Sequence, residues 1–215
     1  LYQGSTANAY NPLQMVVFAD GTAWDLDAIR NKVFAGTANA DKITGSTGAD
    51  VISGQAGDDS LSGGDGDDLL DGGAGKDTLA GGAGNNTYLF GKGDGEDSLS
   101  SFLVNTTGML NTLKFKEGVA PSEIVLKQFG SALIFSIAGT ADKITVQDFM
   151  AGGSVTNSYN PIQQVQFFDG TIWNLDAIKS RLFAGTAGDD TISGTNGADA
   201  IYGQNGIDSL SGRDG

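Results

Sequence analysis

Five aspartates and an asparagine stand nine residues apart in the first half of the chain: Asp41, Asp50, Asp59, Asp68, Asp77 and Asn86. Each lies five positions after a glycine of the series Gly36, Gly45, Gly54, Gly63, Gly72 and Gly81. Each also lies two positions before an apolar residue, in turn Ile43, Ile52, Leu61, Leu70, Leu79 and Tyr88. A second series repeats the pattern with Gly185, Gly194, Gly203 and Gly212, with Asp190, Asp199 and Asp208, and with Ile192, Ile201 and Leu210. The stretch GGDGDDLLDGGAGKDTLA displays the full unit, GGxGxDxUx. Glycine reaches backbone dihedrals that other residues avoid, so a six-residue turn of this kind can aim several carbonyl oxygens inward, where the aspartate adds a carboxylate. An all-oxygen donor set suits a hard cation, and many oxygens in flexible geometry favour Ca2+ over the smaller, octahedral Mg2+.

Composition narrows the alternatives. The chain has 215 residues, 26 acidic against 12 basic side chains and a formal charge of −14, so nucleic acid and anionic membrane surfaces would repel it. Without histidine or cysteine there are no disulfides, no zinc–thiolate sites and no thiol nucleophile. No plausible Ser–base pair stands out either, and the expectation is a protein that is not an enzyme. No apolar run approaches the roughly 20 residues a membrane helix needs, so no membrane insertion is expected. Asp20 and Asp169, in the two DGT sequences, are read as turn formers rather than catalytic carboxylates, and Trp24 and Trp173 as packing residues rather than sugar platforms.

The elements that must position the aspartates follow from the same period. Three residues around each apolar position make a short strand with that side chain inward. So short a strand cannot bury its one apolar group alone, so repeats must coil, two nonapeptides per turn, with ions bridging loops two repeats apart. Six repeats then give about four sites, with one more through Asp77, and the second array gives one or two. Residues 93–100, GDGEDSLS, read as a seventh repeat displaced by two, with Asp97 and Leu99 in the ligand and core positions; the slip is expected to throw the roll out of register and end it. The segments 87–90, 112–115, 123–129, 132–137, 142–149 and 163–168 read as strands of an antiparallel sheet, with Gly130-Ser131 as a type II′ hairpin turn. Asn174 is placed to cap a short helix with Leu175, Ile178 and Leu182 on one face, and Asp25, Leu26, Ile29 and Val33 repeat that element. A larger period contains the smaller: the sequence from Gly4 returns from Gly153, an offset of 149. The expected organisation is the end of one strand module (1–35), a first array (36–98), a whole strand module (99–184) and the start of a second array (185–215). On this reading the chain is a piece of a longer tandem protein.

The nonapeptides resemble the RTX family of calcium-binding repeats. The segments LKF, ITVQDF and VQFFDGTIWN resemble the haemolysin-type calcium-binding-related module that accompanies such arrays. The resemblance implies an all-β protein in which a parallel β-roll alternates with an antiparallel module carrying a short helix. It implies side-chain ligation by Asp41, Asp50, Asp59, Asp68, Asp77, Asp97, Asp190, Asp199 and Asp208. The turns that complete the shell are those of Gly45, Gly54, Gly57, Gly63, Gly64, Gly66, Gly72, Gly73, Gly75, Gly81, Gly82, Gly84, Gly194 and Gly203. The implied partners are calcium ions, neighbouring units of the same chain and a type I secretion exporter. The implied setting is secreted or surface-exposed, in an adhesin- or toxin-like bacterial protein; the alternative is a carboxy-terminal folding and secretion appendage of a hydrolase or toxin whose catalytic domain lies elsewhere.

Overall fold

The computed structural model describes residues 13–101 and 105–214. The opening of the 149-residue repeat, Gly4 to Pro12, lies outside them, as does Gly215. In chain order the elements are β1 (Val16–Val17), β2 (Ala23–Trp24), α1 (Leu26–Val33), β3 (Lys42–Thr44), β4 (Val51–Ser53), β5 (Ser60–Asp65), β6 (Leu69–Asp71), β7 (Thr78–Ala83), β8 (Thr87–Phe90) and β9 (Glu96–Leu99). There follow β10 (Thr112–Phe115), β11 (Ile124–Phe129), β12 (Ala132–Ile137), β13 (Lys143–Val146), β14 (Gln164–Gln166), β15 (Ile172–Asn174), α2 (Leu175–Leu182), β16 (Thr191–Ser193) and β17 (Ser209–Ser211).

Nonapeptides alternate between two sheets, so each strand pairs in parallel with the one eighteen residues on: Leu61 lies beside Leu79, and Ile52 beside Leu70. This is the two-repeats-per-turn coil of a parallel β-roll. Each strand has one inward position, and Ile52, Leu61, Leu70, Leu79 and Tyr88 are all buried in a continuous core. Phe34, at the end of α1, closes the first turn, its carbonyl accepting from the Ser53 amide. Phe183 repeats this at the second array, where its carbonyl accepts from Tyr202.

The displaced seventh repeat departs from expectation. It neither leaves the register nor ends the roll: Thr78 pairs with Ser98 and Leu79 with Leu99, so the two extra residues are taken up in the turn at 91–95 and the sheet runs on. Both sheets then pass into the strand module. One runs β3-β5-β7-β9-β13-β12-β11, the other β4-β6-β8-β10-β14-β15. The 87–90 strand thus belongs to the roll, and β10 and β13 join it in parallel. The antiparallel character sits in β11-β12-β13 and in β14-β15. The β11–β12 hairpin turns at Gly130, φ +60°, with Ser131 outside the positive-φ region, as a II′ turn requires.

The inward column continues through the junction. Tyr88 is followed by Leu113, Val165 and Trp173, and Leu99 by Val146. Phe115 stacks on Phe167 with ring centres 5.1 Å apart, and Phe167 meets Trp173 edge-on at 4.7 Å. Helix α2 begins at Asn174, whose side-chain oxygen accepts from the Ala177 amide at 2.9 Å. It buries Ile178 and Leu182, while Arg181 reaches back over the Trp173 ring, 4.2 Å from its centre. Asp20 and Asp169 accept from the amides of Thr22 and Thr171, the geometry of turn formers.

Candidate metal centre

Asp41, Asp50, Asp59, Asp68, Asp77, Asp190 and Asp208 each sit immediately ahead of a strand, where the chain leaves the turn, and Asp97 is the second residue of β9. In Asp59, Asp68, Asp77, Asp97 and Asp208, Oδ1 accepts the amide of the corresponding residue one turn earlier. Asp59 accepts from Asp41 at 2.8 Å, Asp68 from Asp50 at 2.9 Å, Asp77 from Asp59 at 2.8 Å and Asp97 from Asp77 at 2.9 Å. In the second array Asp208 accepts from Asp190 at 3.0 Å. The carboxylates therefore form two columns. One holds Asp41, Asp59, Asp77 and Asp97; the other holds Asp50 and Asp68 and ends in amides, since Asn86 accepts from Asp68 and Asn111 from Asn86.

One oxygen of each inner carboxylate is thus used; the other is not. Oδ2 of Asp59, Asp68, Asp77 and Asp97 is buried without a hydrogen-bond partner, on residues at most 3% exposed. A buried polar atom left unpaired costs of order 1–3 kcal/mol, and more when charged. Four such oxygens, three in one column and one in the other, call for a partner that is not a protein donor. Burial, followed by the charge of neighbouring aspartates, pushes the carboxyl of Asp68 up to about 7, of Asp77 to about 6 and of Asp97 to about 8; their amide donors act the other way. Asp59 is raised for the same reasons.

The glycines frame this arrangement. A Cβ on Gly63 would collide with Asp68 Oδ2 and with the carbonyl of Gly81, and one on Gly54 with Asp59 Oδ2 and the carbonyl of Gly72. Carboxylate and next-turn carbonyl oxygens therefore converge beside the first glycine of the repeat, in space only glycine leaves open. Gly64 and Gly66, at φ +107° and +114°, need glycine for conformation as well as for the closeness of Ser46 and Gly48 beneath them. The same stacking recurs at Gly73, Gly75, Gly82 and Gly84 over the turn below each, while Gly57 lies over Asn39 and Ala40. Among the described residues no three acidic side chains converge on a point. The donor set is one carboxylate per turn with main-chain oxygens, which fits a hard, oxygen-seeking cation of flexible coordination.

The doubled aspartates divide the work. The residue preceding the repeat aspartate faces outward: Asp58 accepts from Lys76, Asp67 from Asn85 and Asp189 from Ile207, each tying a loop to the one above it.

Three residues at the junction escaped the sequence reading. Asn111 closes the amide column; the signal was NTYLF at 86–90 against NTLKF at 111–115, which pair in that register. Asp142 accepts from the amides of Gly93 and Gly95, both at 2.9 Å, and so seals the last turn. Its sequence, ADKIT, also occurs at 40–44. Lys116 bridges Asp71 at 2.7 Å and Asp94 at 2.8 Å, a tethered cation where the roll meets the module.

Comparison with known proteins agrees with this geometry. The RTX calcium-binding nonapeptide repeat matches at residues 35–70, 54–88, 62–97 and 182–215. The haemolysin-type calcium binding protein related domain matches at 133–177. No curated protein matches the chain. The chain thus carries two arrays of RTX calcium-binding nonapeptide repeats, with a haemolysin-type calcium binding protein related domain between them.

Proposed function

We propose that this chain is a structural module of a larger secreted or surface-exposed RTX protein, one that folds when Ca2+ fills its turns after export. The observation that carries the reading is the run of buried, unpartnered Oδ2 atoms on Asp59, Asp68, Asp77 and Asp97. Bound calcium would supply the positive charge and the missing coordination partner there. The chain's own residues do the rest. Glycine turns hold carbonyls against the carboxylates, and apolar columns stack once the loops are held together. Where calcium is scarce, as inside a cell, the acidic loops repel one another and the glycines favour the unfolded chain. An unfolded chain can pass through an exporter of the type I class, and folding in millimolar calcium outside would oppose its return. The role is mechanical rather than catalytic. The 149-residue recurrence supports a tandem extension in an adhesin- or toxin-like parent over a single appendage behind a catalytic domain.

Calorimetry on chelator-stripped protein tests this. Calcium should bind to several sites with a large heat of coupled folding, and magnesium far more weakly. No uptake at millimolar calcium would end the reading.

A further inference from the structure

The turns of each array are of two kinds, and the second residue of the repeat decides which. In the first two repeats of each array that residue is Thr37, Ser46, Thr186 or Thr195. None of these has a positive φ. Each donates its amide to Oδ2 of its own repeat aspartate: Thr37 to Asp41 at 2.7 Å, Ser46 to Asp50, Thr186 to Asp190 at 2.6 Å, and Thr195 to Asp199. Three of the hydroxyls donate to that carboxylate too. All four accept the amide two residues on, at 3.2 Å. The side chain thus closes the turn from within.

From the third repeat onward the second residue changes to Gln55, Gly64, Gly73 and Gly82, and to Gln204 in the second array, all at positive φ. The turn then swings its amide away from the carboxylate, and Asp59, Asp68 and Asp77 keep a bare, buried oxygen. The two glutamines reach back one turn. Gln55 donates its side-chain amide to the Gly36 carbonyl, and Gln204 to that of Gly185 at 2.9 Å, so the first turn loses a free carbonyl as well. Asp199 is further held by Lys179 of α2, at 3.1 Å. Thr37, Ser46 and Gln55 lie 149 residues before Thr186, Thr195 and Gln204, so the device recurs intact in both units.

We infer that each array opens with two ion-free turns closed by the chain's own side chains, and that calcium is confined to the turns beyond them, entered in the first array through Asp59, Asp68, Asp77 and Asp97. Asp41, Asp50, Asp190 and Asp199 are then structural acceptors, not ligands. Asn86 shows the opposite exception among the later turns: its Oδ1 keeps the column, while its amide nitrogen lies 3.3 Å from the Gly82 carbonyl, in the role of the ion. The consequence is a roll whose start needs no ion and whose middle does.

This rests on the calcium reading proposed above, and the test separates the two. Because asparagine already stands at one repeat position, Asp→Asn changes keep one carbonyl acceptor: for the earlier-turn amide at Asp68 and Asp77, and for the amide of Thr37 or Thr186 at Asp41 and Asp190. Ion stoichiometry is measured by equilibrium dialysis on the whole chain for wild type, D41N/D190N and D68N/D77N. The expected result is wild-type stoichiometry for D41N/D190N and loss of about two ions for D68N/D77N, one per altered turn. A complementary change, T37G/S46G, should open the first turns and raise the count. Loss of ions from D41N/D190N equal to that from D68N/D77N overturns the two-class assignment while leaving calcium binding intact; no ions in wild type overturns the calcium reading itself.

Discussion

Asp68 offers one oxygen to a backbone amide and keeps the other bare in a dry interior, and that asymmetry governs how the metal-free fold responds to pH. Burial first, then neighbouring aspartates, raises its carboxyl to about 7 in the folded chain, with Asp77 at about 6 and Asp97 at about 8, against an ordinary 3.8. The folded form therefore holds protons that the unfolded chain has released. Stability is greatest below the ordinary value, falls as pH climbs through the raised ones, and carries the full penalty above the highest of them. In chelator the array should be unfolded near about pH 8 and gain structure near about pH 5, where the bare carboxyls hold protons, and saturating calcium should fold it at the higher pH. Equal circular dichroism at both pH values in chelator would mean that the bare carboxylates cost the fold nothing. Gly63 sets a steric limit at the same place. Gly63→Ala puts a methyl where the Asp68 and Gly81 oxygens converge, and calcium affinity should fall at least tenfold, about 1.4 kcal/mol, read by titration against a competing chelator. The repeat aspartates were legible as a recurring buried element because a carboxylate and a nine-residue period coincide. The bare-versus-closed distinction was not, because it depends on the sign of φ at the residue after the first glycine.

A strand of three residues is held by what stacks on it rather than by propensity. Leu70 lies between Ile52 and Tyr88 in its column and is fully buried. Leu70→Ala should cost about 2–5 kcal/mol, measured by urea unfolding in calcium, and a loss under 1 kcal/mol would show the column to be loosely packed. The helices are held differently. Asn174→Ala removes the cap on α2 and should cost about 1 kcal/mol with no change in calcium stoichiometry. The roll strands, the hairpin at Gly130 and the capped helix were all readable, since each has a local signature. The parallel entrance of β10 and β13 was not. An alternating strand carries no mark of its partner's direction, and only the echo of NTYLF in NTLKF pointed to it.

Across the whole molecule the roll and the strand module share their sheets, so no seam divides them: β9 hands one sheet to β13, and β8 hands the other to β10. Lys116 and Asp142 fasten the same junction with charge and hydrogen bonds. Lys116→Met leaves Asp94 without its cation and should lower stability by roughly 1–2 kcal/mol, with the loss seen in both parts at once. The larger period pointed to repeating units, but the displaced seventh repeat suggested a break; two extra residues are easily housed in a turn, and paired strands on either side keep the register. The module has its own aromatic core around Phe115, Phe135 and Phe167, whereas the array has single stacked side chains and bare carboxylates. The two should therefore differ in their need for calcium. Amide hydrogen exchange, followed in chelator and then in calcium, tests this directly. Residues 54–89 should be unprotected in chelator and gain protection together as calcium is added, while 123–149 change far less; protection of 54–89 that is the same in chelator as in calcium would contradict calcium-coupled folding.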